Sequence, residues 1–451
     1  MVRFISNIII LFFNMSVYRI LLEKILLPLG DVLFKTNYIQ NLKKYRKLLN
    51  ASESELKILE KNQLHDILKH AVEETTFYKN IELRGNDPYQ WIQTFPIMDK
   101  KSVNAHLNEL LTKPKEKLIA SKSSGSSGVQ TTVYMNQKEV SSLRALQTLF
   151  WETSGFEIGD PIIQTGINPN RIFIKKVKDF FFRTYYFTAF DSSENSVLKA
   201  LNKVKNKKTV LVGYASSLNF FAETAAKNNL SIQLKSVVSL GDKLYAHYRK
   251  NLESAFKCKV FDTYGSSEGF LMGFQYDIDF LYHFNPQTYI ELLNDEGFPV
   301  EDGTIGHVVV TRLDGYSMPL IRYKLGDLAI KLPRNEYPHF RKLAFPVFKQ
   351  IVGRNTDIVK TPGGKVLVVH FFTGIFEHFQ EIEQYRILQY KLDELKIEII
   401  KGSKFTDEIF ENLKKVVSEK INDAEMKLTF EFVSYIPATN SGKPEIVKTF
   451  L

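Results

Sequence analysis

Strands and helices alternate through the middle of this chain, and this alternation limits its fold more than any other feature. Compact apolar strands are predicted over Thr209–Gly213, Ser236–Leu240 and Val260–Thr263, with helical patterns over 216–228 and 244–255 between them. Alternating elements of this kind imply a mainly parallel sheet covered by helices. The chain has 451 residues, enough for two or three domains and a large core.

The pattern changes towards the C-terminus. From about Phe280 to Ile330 the sequence is rich in strands, which predicts a small β-barrel-like part beside the layered sheets. After that, helices and strands alternate again. We predict an α/β fold with a large N-terminal domain over 1–352 and a small, mobile α+β C-terminal domain over 353–451.

Composition narrows the function classes. The 60 Lys and Arg residues outnumber the 50 acidic residues, but they are scattered along the chain. Nucleic-acid binding favours a dense basic stripe with interleaved aromatic residues, so we predict no nucleic-acid partner. The single cysteine, Cys258, excludes an intramolecular disulfide and a Cys-based zinc site. This usage predicts a reducing compartment, the cytoplasm.

Residues 1–35 form an apolar extension ahead of the main body. Apolar patches over 4–13 and 20–29 are separated by polar residues, and each is shorter than the roughly 20 residues that span a bilayer. No clear small-residue cleavage site follows, which argues against a signal peptide. We predict amphipathic helical segments that pack on the body. The alternative is peripheral contact with the inner membrane face.

A run of serines and glycines lies between two predicted strands, Lys117–Ala120 and Thr131–Tyr134. Its residues are Ser123, Ser124, Gly125, Ser126, Ser127 and Gly128. A hairpin tip without bulky side chains can offer backbone N–H groups and hydroxyls to a polyphosphate. It is not a Walker loop, because no Lys-Ser/Thr pair and no helix follow at the required spacing. The alternative is a flexible linker.

A second motif, Asp262–Gly269, directly follows a predicted strand and so lies at a sheet's carboxyl edge, where ligands gather. Tyr264 offers a flat face for a purine, Ser267 a hydroxyl, and Glu268 a carboxylate suited to Mg²⁺. The alternative is an ordinary turn with a surface glutamate.

Three further motifs follow in order. Asp327 comes after a glycine and a strand-like run, and its carboxylate can accept two hydrogen bonds from vicinal hydroxyls. A turn Asp before a strand is the common alternative. Arg354 lies in Gly353–Lys360, where the strand-rich part gives way to the C-terminal domain. Lys443 lies in the turn-rich loop 437–443, and a mobile loop could carry its charge into a site.

Read in order from 121 to 448, the five motifs resemble those of the adenylate-forming superfamily of acyl-CoA synthetases, luciferase and adenylation domains. Within it the chain is most similar to the phenylacetate–CoA ligase group and its CapK-type relatives of capsule biosynthesis. Three local segments support this: Ile67–Tyr78, Phe95–Lys100 and Tyr289–Thr311.

The resemblance implies roles for individual residues. The loop from Ser123 to Gly128 would hold the β- and γ-phosphates of ATP. Tyr264, followed by Gly265, would stack on adenine, Ser267 would contact the α-phosphate or the acyl carboxylate, and Glu268 would bind Mg²⁺. Asp327 would hold the ribose, and Arg354 would contact the ribose or a phosphate. Gly241 and Asp242 would lie near the adenine and acyl pocket, and Lys443 would bridge the carboxylate, the ribose and the α-phosphate.

The sequence departs from the family pattern at three places. Val129-Gln130 replaces the usual Lys-Pro after the phosphate loop, which removes one charge near the triphosphate. Thr356 stands where the hinge usually has Asp or Lys, and Asp242 replaces a Glu.

The predicted function is an ATP-dependent ligase that activates a carboxylic acid as acyl-AMP and transfers it to coenzyme A. ATP, Mg²⁺ and coenzyme A are the predicted cofactors, and relatives suggest a homodimer. One alternative passes the acyl group to an amine or sugar during surface-polysaccharide assembly. Another is a non-catalytic, ATP-binding scaffold.

Overall fold

The computed structural model of the chain describes residues 15–122, 131–166, 173–189, 193–205, 207–354, 358–376, 378–379, 381–437 and 445–451. The helices within these ranges are α1 (Met15–Leu21), α2 (Leu27–Leu33), α3 (Tyr38–Leu48), α4 (Glu53–Glu74), α5 (Pro88–Trp91), α6 (Lys100–Ala105), α7 (Gln137–Glu152), α8 (Phe173–Phe181), α9 (Glu194–Val204), α10 (Ala215–Lys227), α11 (Ala246–Phe256), α12 (Val369–Phe376) and α13 (Asp407–Ile421).

The strands within the same ranges are β1 (Ile119–Lys122), β2 (Thr132–Met135), β3 (Ile162–Gly166), β4 (Thr184–Thr188), β5 (Val210–Tyr214), β6 (Ser236–Leu240), β7 (Val260–Ser266), β8 (Phe270–Phe274), β9 (Leu281–His283), β10 (Thr288–Leu293), β11 (Ile305–Arg312), β12 (Tyr323–Lys331), β13 (Val347–Arg354), β14 (Ile358–Lys360), β15 (Val366–Val368), β16 (Ile382–Lys391), β17 (Glu394–Lys401), β18 (Lys427–Phe432) and β19 (Val447–Thr449).

A single large sheet organises the N-terminal part, in the strand order β10-β11-β12-β13-β9-β8-β7-β6-β5-β3-β4. Neighbours in the part of the sheet from β4 through β3, β5 and β6 to β7 pair in parallel. Neighbours in the rest of the sheet, from β7 through β8, β9, β13, β12 and β11 to β10, pair antiparallel. The predicted α/β class, with a large sheet domain and a smaller C-terminal domain, is confirmed. The strand-rich stretch, expected as a barrel-like part beside the main sheets, instead continues the parallel sheet edge to edge. The reason is that β7 pairs with β6 on one side and with β8 on the other.

Alternation along the parallel strands builds cores on both faces of the sheet. On β5, Val210 and Val212 pack with Leu146 and Leu149 of α7. The intervening Leu211 packs with residues of α9, α10 and α11 on the opposite face. Strands buried on both faces are nearly continuous apolar runs, which is the pattern that the sequence shows.

The N-terminal helical segment packs one face on the body. α1 and α2 are joined by a π-helical turn over Leu22–Leu26. Tyr18 and Leu22 are each 1% exposed and belong to the core beneath α7. The packing that we predicted for this extension is therefore present in residues 15–33, while residues 1–14 lie outside the described part. Within the described residues, no helix has both the length and the apolar character needed to cross a membrane.

The C-terminal part has its own sheet, in the order β18-β17-β16-β19, with α13 packed in its core through Leu413 and Val417. The large sheet extends to Arg354 at the end of β13, and β14 of the next hairpin begins at Ile358. The domain boundary between 352 and 353 stays a prediction.

Candidate active site at the carboxyl edge of the sheet

Tyr264, Asp327 and Arg354 meet on three strands of the large sheet. The Tyr264 hydroxyl donates to Asp327 Oδ2 at 2.9 Å. Arg354 Nε lies 2.9 Å from Asp327 Oδ1. The strand register explains this, because Asp327 on β12 is the direct cross-strand partner of Arg354 on β13. The carboxylate is thus held between a hydroxyl and a guanidinium.

Burial fixes the protonation of Tyr264. Its ring is 8% exposed and packs edge-on against Phe348. Burial and the neighbouring Asp327 carboxylate raise the pKa of the Tyr264 hydroxyl well above its usual value. Tyr264 is therefore a permanent hydrogen-bond donor to Asp327 near neutral pH.

Glu268 lies in the tight turn that reverses β7 into β8. Gly269 has φ +89°, a left-handed conformation that glycine adopts without penalty. Glu268 itself is 3% exposed. Ser267 Oγ donates to its carboxylate at 3.3 Å, and the Tyr323 hydroxyl donates at 3.4 Å. The turn is therefore not the ordinary surface turn that was the alternative interpretation of this motif.

Lys100 is a site residue to which the sequence analysis assigned no role. Its Nζ lies 3.6 Å from Glu268 Oε1, and its side chain is 10% exposed. Burial lowers the pKa of Lys100, and the Glu268 carboxylate opposes that shift. The result is a desolvated cation–carboxylate pair at the carboxyl edge of the sheet.

Two local features place Lys100 there. Asp99 caps α6 by accepting from the Ser102 N–H at 2.8 Å, so Lys100 is the first residue of that helix. Met98 forms a parallel bridge with Tyr323, the first residue of β12. A capping Asp followed by Lys within the family-like segment 95–100 was the available signal. The partner of Lys100, however, comes from a distant part of the chain.

The predicted phosphate loop, Ser123 to Gly128, and Val129-Gln130 lie outside the described residues. The hairpin that carries the loop is present, because β1 and β2 pair antiparallel from Ile119–Met135 to Lys122–Thr132. On one side of the loop, Ser121 Oγ donates to the Ser267 carbonyl at 2.8 Å. On the other side, the fully buried Thr131 donates to the Lys100 carbonyl at 3.4 Å. Both ends of the loop are thus anchored beside Glu268.

Gly241 and Asp242 follow β6 and brace the start of α10. Gly241 has φ +78°, and a Cβ there would lie 2.5 Å from the Tyr214 ring. The Asp242 carboxylate accepts from the Ser216 N–H at 3.1 Å and from the Ala215 N–H. These contacts give Asp242 a structural role as the cap of α10.

A cavity of about 230 Å³ is lined by six of the predicted site residues, whereas Ser267, Glu268 and Lys100 are not among its lining residues. Its N-terminal wall includes Gly241, Asp242, Tyr264, Gly265, Asp327 and Arg354. Its opposite wall comes from the C-terminal part, through Val369 and the segment Glu445–Val447. Lys443 and Thr356 lie outside the described residues, although the chain resumes at Glu445 in the cavity wall.

Asp262 also lines the cavity, and the sequence motif gave its side chain no role. It precedes Tyr264 on β7, and its carboxylate accepts from the Thr263 N–H at 3.0 Å. Burial raises the pKa of Asp262 to about 7, against the lowering effects of the Arg249 charge and of the Thr263 N–H.

The carboxylates of the site suit a metal ion whose other ligands come from a bound substrate. The part of the chain that the structure describes has no cluster of three or more His, Cys, Asp or Glu side chains able to hold a metal ion. Mg²⁺ needs no such cluster, since it is commonly bound by one or two carboxylates together with substrate phosphates. The single buried Glu268 fits that mode.

This architecture, a large sheet domain with a polar cleft lined in part by a small C-terminal α+β part, is similar in fold to a solved CoA ligase. The solved structure of 2-hydroxyisobutyryl-CoA ligase in the postadenylation state, with R3-HIB-AMP, superposes with a TM-score of 0.69 at 18% identity. The superposition covers 90% of this chain and 91% of that ligase.

In sequence, the chain is similar to CapK-type proteins, through its C-terminal part and at low identity over most of its length. Residues 358–449 match the CapK C-terminal domain family. Protein CapK of Staphylococcus aureus is 24% identical over 431 residues, covering 91% of this chain and 92% of that protein. Indoleacetate–lysine synthetase of Pseudomonas savastanoi is 27% identical over 258 residues, covering 53% of this chain and 61% of the synthetase.

Proposed function

We propose that this protein activates a carboxylic acid as acyl-AMP, with ATP as co-substrate, and then transfers the acyl group to coenzyme A. The observation that carries the proposal is the convergence of Tyr264, Asp327 and Arg354 on a cavity whose far wall leads into the Lys443 loop.

The nucleotide end of the site follows from the chemistry of these groups. Asp327 would accept hydrogen bonds from the ribose hydroxyls, and Arg354 would hold the carboxylate in position and contact ribose or phosphate. The Tyr264 ring would lie against adenine. The loop from Ser123 to Gly128, anchored at Ser121 and Thr131, would cradle the β- and γ-phosphates.

Charge is the main obstacle to the first step, because a substrate carboxylate must approach the α-phosphate of an anion. Lys443 would neutralise part of that repulsion and stabilise the charge that develops as pyrophosphate leaves. Glu268 would hold Mg²⁺, which supplies further charge neutralisation when bound. Ser267 would donate a hydrogen bond to the α-phosphate or to the acyl carboxylate.

Lys100 offers a cation in place of the one that the sequence lacks after the phosphate loop. Val129-Gln130 removes a lysine, while Lys100 stands 3.6 Å from Glu268 and next to Thr131 at the loop's end. We propose that Lys100 restores positive charge near the triphosphate and holds Glu268 in position before nucleotide binds.

A different acyl acceptor is the second candidate. The similarity to indoleacetate–lysine synthetase, a protein named for joining an acid to an amine, favours an amine acceptor. A sugar acceptor in surface-polysaccharide assembly uses the same adenylate and the same first step. A non-catalytic scaffold is disfavoured by the buried Lys100–Glu268 pair, since an inactive scaffold gains little from a desolvated charge pair.

Carboxylate-dependent exchange of pyrophosphate into ATP tests the proposal. The protein should catalyse exchange with at least one member of a broad acid panel, and Lys443→Ala should lower it by about 10²-fold or more. Mass spectrometry of products with and without coenzyme A, and with amines, then separates the acceptors. A folded sample that binds ATP but catalyses no exchange with any acid would contradict the proposal and favour the scaffold.

A further inference from the structure

The N-terminal helical segment exposes an unusual number of large apolar side chains. We define the N-terminal apolar face by its exposed members on α1, the π-helical turn, α2 and the residue after it: Val17, Ile20, Ile25, Leu29, Val32, Leu33 and Phe34. Six of these seven are at least 55% exposed, with Val32 at 78%. Successive members lie mostly three to five residues apart, so they share one side of the helical segment.

The opposite side fixes the segment to the body, so the exposure is not that of a detached helix. Tyr18 and Leu22 are buried in the core beneath α7. Gly159 leaves room for them, because a Cβ there would lie 3.3 Å from the Tyr18 ring. The protein therefore uses one side of this segment for packing and presents the other side to its surroundings.

A second exposed apolar element adjoins the segment. The Tyr18 hydroxyl donates to the Phe181 carbonyl at the end of α8, and the Arg183 guanidinium lies 4.4 Å from the centre of the Tyr18 ring. On α8, Val177, Phe180 and Phe181 are exposed, Phe180 by 65%. Contiguous exposed apolar patches of this kind mark interaction sites in soluble proteins.

The exposed charges near this surface favour an anionic occupant. Within residues 15–50, five lysines are exposed, Lys24, Lys35, Lys43, Lys44 and Lys47, whereas both acidic residues, Glu23 and Asp31, are partly buried. Lys24 lies among the exposed residues of the segment, and Lys176 and Lys178 are exposed on α8. Protein–protein interfaces are depleted in lysine, whereas helices on anionic lipid combine an apolar face with basic residues.

We propose that the N-terminal apolar face and the exposed end of α8 dock on an anionic lipid surface. The apolar side chains enter the boundary between headgroups and acyl chains, and the lysines contact the headgroups. In this arrangement the helical segment lies in the plane of the headgroups, as interfacial amphipathic helices do. The inference goes beyond the proposed ligase activity and does not depend on it.

Co-sedimentation of the full chain with lipid vesicles tests this inference, without ATP or any acid present. Vesicles of phosphatidylcholine alone are compared with vesicles that also contain phosphatidylserine. The protein should bind the anionic vesicles at least about 10-fold more strongly, and 0.5 M NaCl should weaken that binding several-fold, to about a third or less. The variant Ile20→Ser/Ile25→Ser/Leu29→Ser should lose about 10-fold or more of the binding.

A matched variant controls for general loss of surface apolarity. Phe298→Ser/Phe340→Ser/Leu392→Ser changes three comparably exposed side chains outside this surface and should leave vesicle binding unchanged. Thermal unfolding of both triple variants checks that each is folded. Equal binding by wild type and the Ile20 triple variant would overturn the proposal. So would concentration-dependent self-association that the Ile20 triple variant abolishes while wild type ignores vesicles, because the surface would then join two copies of the chain.

Discussion

The Lys100 ammonium lies 3.6 Å from the buried Glu268 carboxylate, and the two residues come from segments that are far apart in the sequence. Lys100 begins α6, and Glu268 occupies the turn after β7. At the two ends of the proposed phosphate loop, Ser121 donates to the carbonyl of Ser267, the neighbour of Glu268, and Thr131 donates to the carbonyl of Lys100. The pair therefore stands where the hairpin, the sheet edge and the proposed metal position meet.

Lys100→Met should impair adenylation more than it impairs folding. The substitution keeps most of the aliphatic volume and removes the charge, so Glu268 loses its cationic partner and the triphosphate loses a positive neighbour. We expect the ATP–pyrophosphate exchange rate to fall by about 10²-fold, with a higher KM for ATP. Steady-state exchange kinetics measure both effects.

A purely structural role for Lys100 predicts a different outcome. Breaking a buried ion pair by removing one partner destabilises a protein by about 3–5 kcal/mol, without a specific effect on the KM for ATP. Lys100→Arg, which keeps the charge, should recover part of the activity. A lowered melting temperature with an unchanged KM for ATP in the folded fraction would show that Lys100 only supports the fold.

Asp327→Asn should weaken nucleotide binding. The substitution removes the charge that accepts hydrogen bonds from vicinal hydroxyls, and hydrogen bonds to a charged group are worth about 1.5–3 kcal/mol each. We expect ATP and AMP affinity, measured by calorimetry, to fall by roughly 10²-fold. Replacing the ribonucleotide by its 2′-deoxy form should cost much less binding affinity in the variant than in the wild type. An equal loss in both proteins would mean that Asp327 does not contact the ribose.

Arg322→Met should destabilise the protein, because it breaks a buried ion pair with Glu291 outside the cavity wall. Arg322 donates twice to the Glu291 carboxylate, with both distances 3.0 Å, and both side chains are buried. Removing the guanidinium leaves Glu291 charged and unpaired, which costs about 3–5 kcal/mol. Chemical denaturation measures the loss. The double variant Arg322→Met/Glu291→Leu should recover stability, because it leaves no buried charge uncompensated; no recovery would contradict this account.

Much of the fold could be predicted because the strands of the large sheet are buried on both faces. The run Ser236–Leu240 is apolar enough to be predicted with the bounds that β6 has in the structure. The β-rich part was harder, since edge-to-edge continuation and a separate barrel-like sheet give the same local pattern. Only the pairing of β7 with both β6 and β8 distinguishes them.

In the candidate site, too, local sequence motifs pointed to some residues, whereas others depend on tertiary contacts. Tyr264, Glu268 and Asp327 could be singled out because each stands in a local sequence motif with a neighbouring glycine, although Tyr264 and Asp327 lie within β7 and β12 rather than after them. The role of Lys100 could not be predicted, because its contact depends on the bridge between Met98 and Tyr323, a tertiary pairing that leaves no local trace. Asp242 had a signal in its glycine neighbour, but its capping of α10 depends on the packing of two neighbouring strand ends.

The pKa of Asp262, raised by burial to about 7, gives folding a pH dependence with a definite sign. In the unfolded chain an Asp titrates near pH 3.9, so between about pH 4 and pH 7 the folded protein keeps a proton that the unfolded chain releases. The contribution of Asp262 to stability is therefore complete below about pH 4 and is lost as pH rises to about 7. Asp262→Asn, which keeps the acceptor for the Thr263 N–H and stays neutral, should avoid that loss.

Melting temperatures of wild type and Asp262→Asn at pH 5 and pH 8 check this prediction. The difference in favour of the variant should be larger at pH 8 by about 2 °C or more. Asp302→Asn, on an exposed carboxylate outside the cavity, is the matched control and should shift the melting temperature by the same amount at both pH values. If the Asp262 variant shifts the melting temperature equally at both pH values, Asp262 is already ionised at pH 5. Its burial beside Tyr264 would then be offset by the Arg249 charge and by hydrogen bonds at the edge of the cavity.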